Sequence, residues 1–135
     1  MKKVYQTKFG NISGNCFPAC VASILEIPLE TIPNVCVLGE DWFESFLFWC
    51  GTIGFSYVEL FGEYRKMTDG QLCMVTGKSP RGDFRHCVVG RFEGGKIEII
   101  HDPHPDGTGI DGDAEQYGVF IPIDPKPRED VRKEG

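Results

Sequence analysis

The sequence lacks any long hydrophobic run: no window approaches the about 18 uninterrupted apolar residues of a membrane-spanning helix. Met1-Lys2-Lys3-Val4 leads straight into polar residues without the apolar core of a secretory signal. These absences argue against a membrane partner and lead us to expect a protein that stays in the cytoplasm. No CxxC pair occurs, and the spacings Cys16/Cys20, Cys36/Cys50 and Cys73/Cys87 lack the paired two-residue gaps of a zinc ribbon or knuckle. No structural metal or cofactor is therefore expected. In a reducing compartment the 6 cysteines read as thiols serving as core, ligand or nucleophile rather than as disulfides. Basic residues form no cluster except Lys126-Pro127-Arg128, and the net charge is -6, so a nucleic-acid backbone has no electrostatic counterpart here. Internal repeats and low-complexity blocks are also missing.

What is present suits one domain. A chain of 135 residues, 41% hydrophobic and 25% charged, lies in the ordinary globular range. A chain of this size buries roughly two-thirds of its unfolded surface. The run Gly10-Asn11-Ile12-Ser13-Gly14-Asn15 is turn-forming and delivers the chain into Cys16 to Leu25, where nearly continuous small and apolar residues predict a buried helix ended by Pro28. Leu29 to Val35 reads as a turn or a single helical turn. Asp41 then stands as N-cap of a second helix carrying Trp42, Phe43, Phe46, Leu47 and Trp49, stopped by Gly51 or Gly54. Its aromatics, Phe48 included, are too many for one face, so some either pack under a loop or line a partner groove.

Beyond that point the pattern becomes strand-like at Phe55 to Phe61, Gln71 to Thr76, Arg85 to Phe92, Lys96 to His101 and Tyr117 to Ile123. Glu93-Gly94-Gly95 predicts a hairpin between the third and fourth. Helices followed by antiparallel strands define an α+β fold, with the N-terminal helices packed on a sheet. The domain is expected to span 1–124, with a loose tail over 125–135.

Cys16 opens the buried helix, where unpaired backbone N–H groups and the positive end of the helix dipole stabilise a thiolate. It reads either as a nucleophile or, like Cys20 one turn later, as a small hydrophobe. A nucleophile needs a base, and the only histidines are His86, His101 and His104. His86 begins the strongest strand, just after the loop Ser79-Pro80-Arg81-Gly82-Asp83, where a strand emerges beside a cleft. Hairpin pairing would bring Asp102 near it, and an aspartate there can orient the imidazole and stabilise the imidazolium. An acyl-transfer site also needs a donor for the developing oxyanion, for which Gln6 is the first choice and Asn15 the reserve, although either amide could simply hold the loop. Two other readings stay open: His101, Asp102 and His104 as metal ligands, and Asp106, Asp111 and Asp113 as a calcium loop, whose spacing misses an EF-hand.

Gln6-Thr7 through Gly14-Asn15-Cys16 and Ala19-Cys20-Val21-Ala22-Ser23-Ile24-Leu25 resemble the N-terminal block of papain-like cysteine peptidases of the peptidase C39-like kind. Ser79-Pro80-Arg81-Gly82, His86-Cys87-Val88-Val89 and His101-Asp102-Pro103-His104-Pro105 resemble the histidine and aspartate blocks of small bacterial and phage proteins of that class. The resemblance implies a papain-like fold with Cys16 as nucleophile, His86 as base, Asp102 as third member and Gln6 as oxyanion donor. The glutamine of the C39 peptidases stands closer to the cysteine than Gln6 does here. The first functional expectation is a thiol-dependent hydrolase, a cysteine peptidase or amidase, acting on a peptide or protein substrate. The second is a non-catalytic papain-like module, such as a phage or mobile-element effector, that binds a host protein through its acidic surface and aromatics. A third is a metal-dependent hydrolase built on His101, Asp102 and His104.

Overall fold

The second half of the chain pairs into one antiparallel sheet of five strands: β1 Phe55–Leu60, β2 Leu72–Lys78, β3 Arg85–Glu93, β4 Lys96–His101 and β5 Asp111–Pro122. Their spatial order is β1-β5-β2-β3-β4, with β5 inserted between the first two hairpin-like segments. Helices α1 Cys16–Leu25 and α2 Trp42–Thr52 precede the sheet in sequence and pack on it, so the architecture is α+β. The computed structural model describes residues 1–10, 14–34, 39–61 and 67–123. The expected tail over 125–135, the domain limit at 124, the thiol of Cys36 and the turn residues 11–13 lie outside the described residues.

The sheet is apolar on both faces because its strands alternate between two cores. Met74, Cys87, Val89, Tyr57 and Phe120 meet Phe17, Cys20, Val21 and Ala22 of α1 and Phe46 and Cys50 of α2. Their neighbours Cys73, Val75, Val88, Phe92 and Val119 form a second cluster on the other side. This explains why β3 reads as an unbroken apolar run rather than an alternating one: both of its faces are covered. Phe46 has no exposed surface, and burying a ring of that size contributes about 2 kcal/mol or more. Around it Phe17, Tyr57 and Phe120 pack edge-on at centroid distances of 5.0, 5.0 and 6.2 Å. The crowded aromatic helix is thus resolved: Phe46 is core, Trp42, Phe43, Leu47 and Trp49 flank it, and Phe48 is 77% exposed.

Helix α1 ends with Glu26 in the left-handed conformation, φ 56°, its N–H donating to the Ala22 carbonyl, before Pro28 prevents continuation. The turn expected from Leu29 is a 3-10 turn at Leu29–Thr31. The β3–β4 hairpin turns on Gly94 and Gly95, whose φ values of 58° and 77° are those a two-residue type I′ loop requires.

Two strands run longer than local propensity suggests. Strand β2 continues to Lys78, and β5 begins at Asp111 instead of Tyr117. Asp111-Gly112-Asp113 is poor strand sequence, but Lys78 pairs with Asp111 across a bulge and recruits those residues into the ladder. No helix among the described residues is long and apolar enough to cross a membrane.

Candidate active site

The N-terminal segment is laced between α1 and the end of β4. Val4 N–H donates to Ser23 Oγ at 3.0 Å, and the ring of His101 donates through Nε2 to the Val4 carbonyl at 2.7 Å. Two residues on, Gln6 N–H donates to the Pro103 carbonyl at 3.0 Å. These bonds hold Gln6 beside the turn that follows β4 and occupy His101 as a structural pin.

Asn15 closes the next loop. Its Oδ1 accepts from the N–H groups of Thr7 and Lys8, both at 2.9 Å, while Nδ2 donates to Thr7 Oγ1. The side chain therefore acts as a clasp, and the structure does not bring it into the cavity described below. The same choice leaves α1 without a side-chain cap, although Asn is a favoured capping residue. Ala19 N–H is met by the Asn15 backbone carbonyl at 3.1 Å, and Pro18 has no N–H to satisfy.

That N-terminus opens onto a cavity of about 340 Å³ lined by Cys16, Gln6 and His86 together with Phe9, Gly10, Gly14, Arg81, Phe84, Arg85 and His104. His86 is 2% exposed, and its Nε2 lies 2.7 Å from Asp102 Oδ1. A deprotonated carboxylate accepts only, so Nε2 carries the proton and Nδ1 keeps the lone pair of a base. Asp102 also accepts from His104 N–H at 2.9 Å and from Gly109 N–H at 2.7 Å. Burial by itself raises the Asp102 carboxyl, but the bonds from His86, His104 and Gly109 outweigh it and hold the group below its ordinary value.

The turn after β4 thus wraps around the Asp102 carboxylate, and a second carboxylate braces it. Asp106 accepts from Thr108 N–H and Oγ1, and Arg81 Nη1 reaches both Asp106 oxygens at 3.0 and 3.1 Å. These bonds bring the Asp106 carboxyl down to about 2, the Thr108 N–H being the largest cause. Both folded values lie below the unfolded ones, so the stability they contribute is complete above pH about 4 and is lost as pH falls through the folded values. The 102–109 turn is expected to loosen between pH about 4 and 2, before the sheet melts. Amide exchange at Gly109 and Thr108, followed as pH is lowered, checks this; protection that persists to global unfolding would refute it.

Gln6 is 7% exposed; its Nε2 donates to the Lys8 carbonyl at 2.9 Å, and its Oε1 is buried without a partner. One Nε2 hydrogen remains for a ligand. His104 is positioned by the Asp106 N–H, which donates to its Nδ1 at 3.1 Å. With His101 and His104 so engaged, no group of three His, Cys, Asp or Glu side chains among the described residues is placed to hold a metal. Asp111 and Asp113 lie within β5.

The remaining described thiols differ from Cys16 in setting. Cys20 is wholly buried, with its thiol pushed up by burial and by the neighbouring Cys87. Burial raises Cys73 to about 12 and Cys50 to about 11. The sequence reading gave no role to Phe9, Phe84, Arg81 or Arg85, which also line the cavity. The alternation of Arg81, Asp83 and Arg85 leading into β3 was the available signal for the arginines.

Fold and site together define an α+β protein in which a cysteine at a helix N-terminus shares a cavity with a buried histidine–aspartate pair. Comparisons with protein-family models, curated proteins and solved structures returned no match.

Proposed function

We propose that the chain is a thiol-dependent hydrolase of papain-like type, a cysteine peptidase or amidase acting on an amide bond of a peptide or protein in the cytoplasm. The observation that carries this reading is the 2.7 Å bond from Asp102 to His86, whose ring lines the same cavity as Cys16. Asp102 fixes the imidazole so that Nδ1 takes the Cys16 proton. The thiolate then attacks the carbonyl carbon, and the oxyanion is met at the positive end of α1 by the remaining N–H of Gln6 Nε2. The imidazolium returns its proton to the leaving amine. A water, deprotonated by His86, hydrolyses the thioester and regenerates the thiol.

Brief, substoichiometric iodoacetamide treatment across pH 5 to about 9, followed by peptide mapping, tests this reading. Cys16 is expected to label at least about tenfold faster than Cys20, Cys50, Cys73 and Cys87, with a rate that stays high below the pH where an ordinary thiol ionises. In His86→Ala the low-pH labelling is expected to vanish. Labelling of Cys16 at the rate of an ordinary thiol, unchanged by that substitution, would sink the proposal and favour the binding-module reading.

A further inference from the structure

The chain carries a net charge of -6, with 20 acidic residues against 14 basic ones. The cavity holding Cys16 reverses that balance. Among the described residues its lining includes two arginines and two histidines and neither an aspartate nor a glutamate. A protein with acids to spare has kept them out of this one concave surface, which concentrates positive potential where a ligand would sit.

We propose that the cavity recognises a carboxylate borne next to the scissile amide, and that Arg81 is the specificity-determining residue. This rests on the hydrolase reading for the word scissile, but not for the anion site itself. The Arg81 side chain is 24% exposed and lines the cavity. Its Nη1 spends itself on Asp106 and on Thr108 Oγ1, the latter at 2.8 Å. Nε and Nη2 remain, and one edge of a guanidinium is what a planar carboxylate accepts in bidentate fashion. Because Asp106 and Thr108 already hold the group, little side-chain entropy is lost when a ligand binds. The Arg81 backbone is anchored as well, its N–H donating to the buried Ser79 Oγ at 3.1 Å.

Asp106 offsets part of the Arg81 charge, as Asp102 does beside His86, but neither carboxylate is part of the lining, so the groups a ligand meets there are donors. Arg85 adds to the positive potential. It is 63% exposed and paired with Glu115 at 3.0 Å, so it acts through solvent. Phe9 and Phe84 flank the site with apolar surface, which excludes water and strengthens the attraction.

The carboxylate can come from a glutamate or aspartate side chain or from a chain end, and the test separates them. Iodoacetate and iodoacetamide are nearly the same size and differ by one charge, so the ratio of their rates at Cys16, referred to glutathione in the same buffer, reads the anion preference directly. We expect that ratio to exceed the glutathione value by about fivefold at low salt, the order expected of one nearby cation in a partly dry cleft, and to fall as salt is added. Arg81→Gln should return it to the glutathione value.

Slow labelling by both reagents with a high ratio would reject the hydrolase reading and keep the anion site. A ratio equal to that of glutathione, or one that stays high in Arg81→Gln, would overturn the assignment to Arg81. Protection of Cys16 from iodoacetamide is then compared for N-acetylglutamate α-amide, N-acetylglutamine and N-acetylglutamine amide. Protection by the first marks a side-chain carboxylate, by the second a chain end; equal protection by all three would also overturn the proposal.

Discussion

Asp102→Asn is expected to lower hydrolysis of an activated amide by about a thousandfold. The corresponding change in a serine triad costs about 10⁴, and a thiol, being more acidic than a hydroxyl, depends less on its base. The reason lies in what the carboxylate accepts. Asp102 takes bonds from His86 Nε2, His104 N–H and Gly109 N–H and gives none. An asparagine must turn its NH₂ towards one of these donors. Turned to His86, it forces the proton onto Nδ1 and removes the base; turned to Gly109, it leaves a partly buried amide facing another donor and opens the turn. A stability loss of about 2 kcal/mol should accompany the kinetic effect, for the same unpaired donor. Single-turnover kinetics and urea unfolding on the same preparation measure the two together. A variant that loses stability but reacts at the wild-type rate would make Asp102 a loop clasp alone.

Gly118→Ala is expected to cost about 3 kcal/mol, the upper part of the range for overpacking a core, and to lower Tm by roughly 10 °C. Gly118 sits in β5 between Glu59 of β1 and Met74 of β2. A β-carbon there would occupy the space of the Tyr57 hydroxyl and ring edge. Tyr57 is 5% exposed and packs against Phe17, Phe43, Phe46 and Phe120, so the ring has nowhere to retreat. In a Tyr57→Phe background the penalty should shrink, because the atom nearest the new methyl is gone; equal penalties in both backgrounds would refute the steric account. Gly95→Ala is the control. Its φ of 77° strains any side chain but open space surrounds it, so about 1 kcal/mol is expected.

The elements that were legible are those whose signals are local. The buried helix from Cys16 follows from a continuous apolar run between a turn-forming loop and Pro28. The β3–β4 hairpin follows from Gly94-Gly95, since few other pairs tolerate two positive φ values. The site residues were named through residue chemistry and resemblance. His86 and Asp102 meet because β3 and β4 pair, whereas the part Asn15 plays was hidden. An asparagine before a helix reads equally as cap, loop clasp or oxyanion donor, and only the positions of Thr7 and Lys8 decide among them. The start of β5 was misjudged for a related reason. Asp111 to Asp113 has no strand preference of its own and is drawn into the ladder by Lys78, more than thirty residues earlier.

By itself the sequence determined the fold class, the order of helices and strands and the residue types available for chemistry, because periodicity, turn residues and composition act over a few neighbours. Only the tertiary structure decided that β5 lies between β1 and β2, that Gly118 must yield to Tyr57, and that Arg81 reaches across to Asp106. Each of these joins segments distant in the chain through shape and charge, which no local pattern records. The same holds for the cavity: a chain of net charge -6 gives no hint that the lining shared with Cys16 contains Arg81 and Arg85 and no carboxylate. Net charge is a sum over the chain, and a site is made by what folding sets side by side.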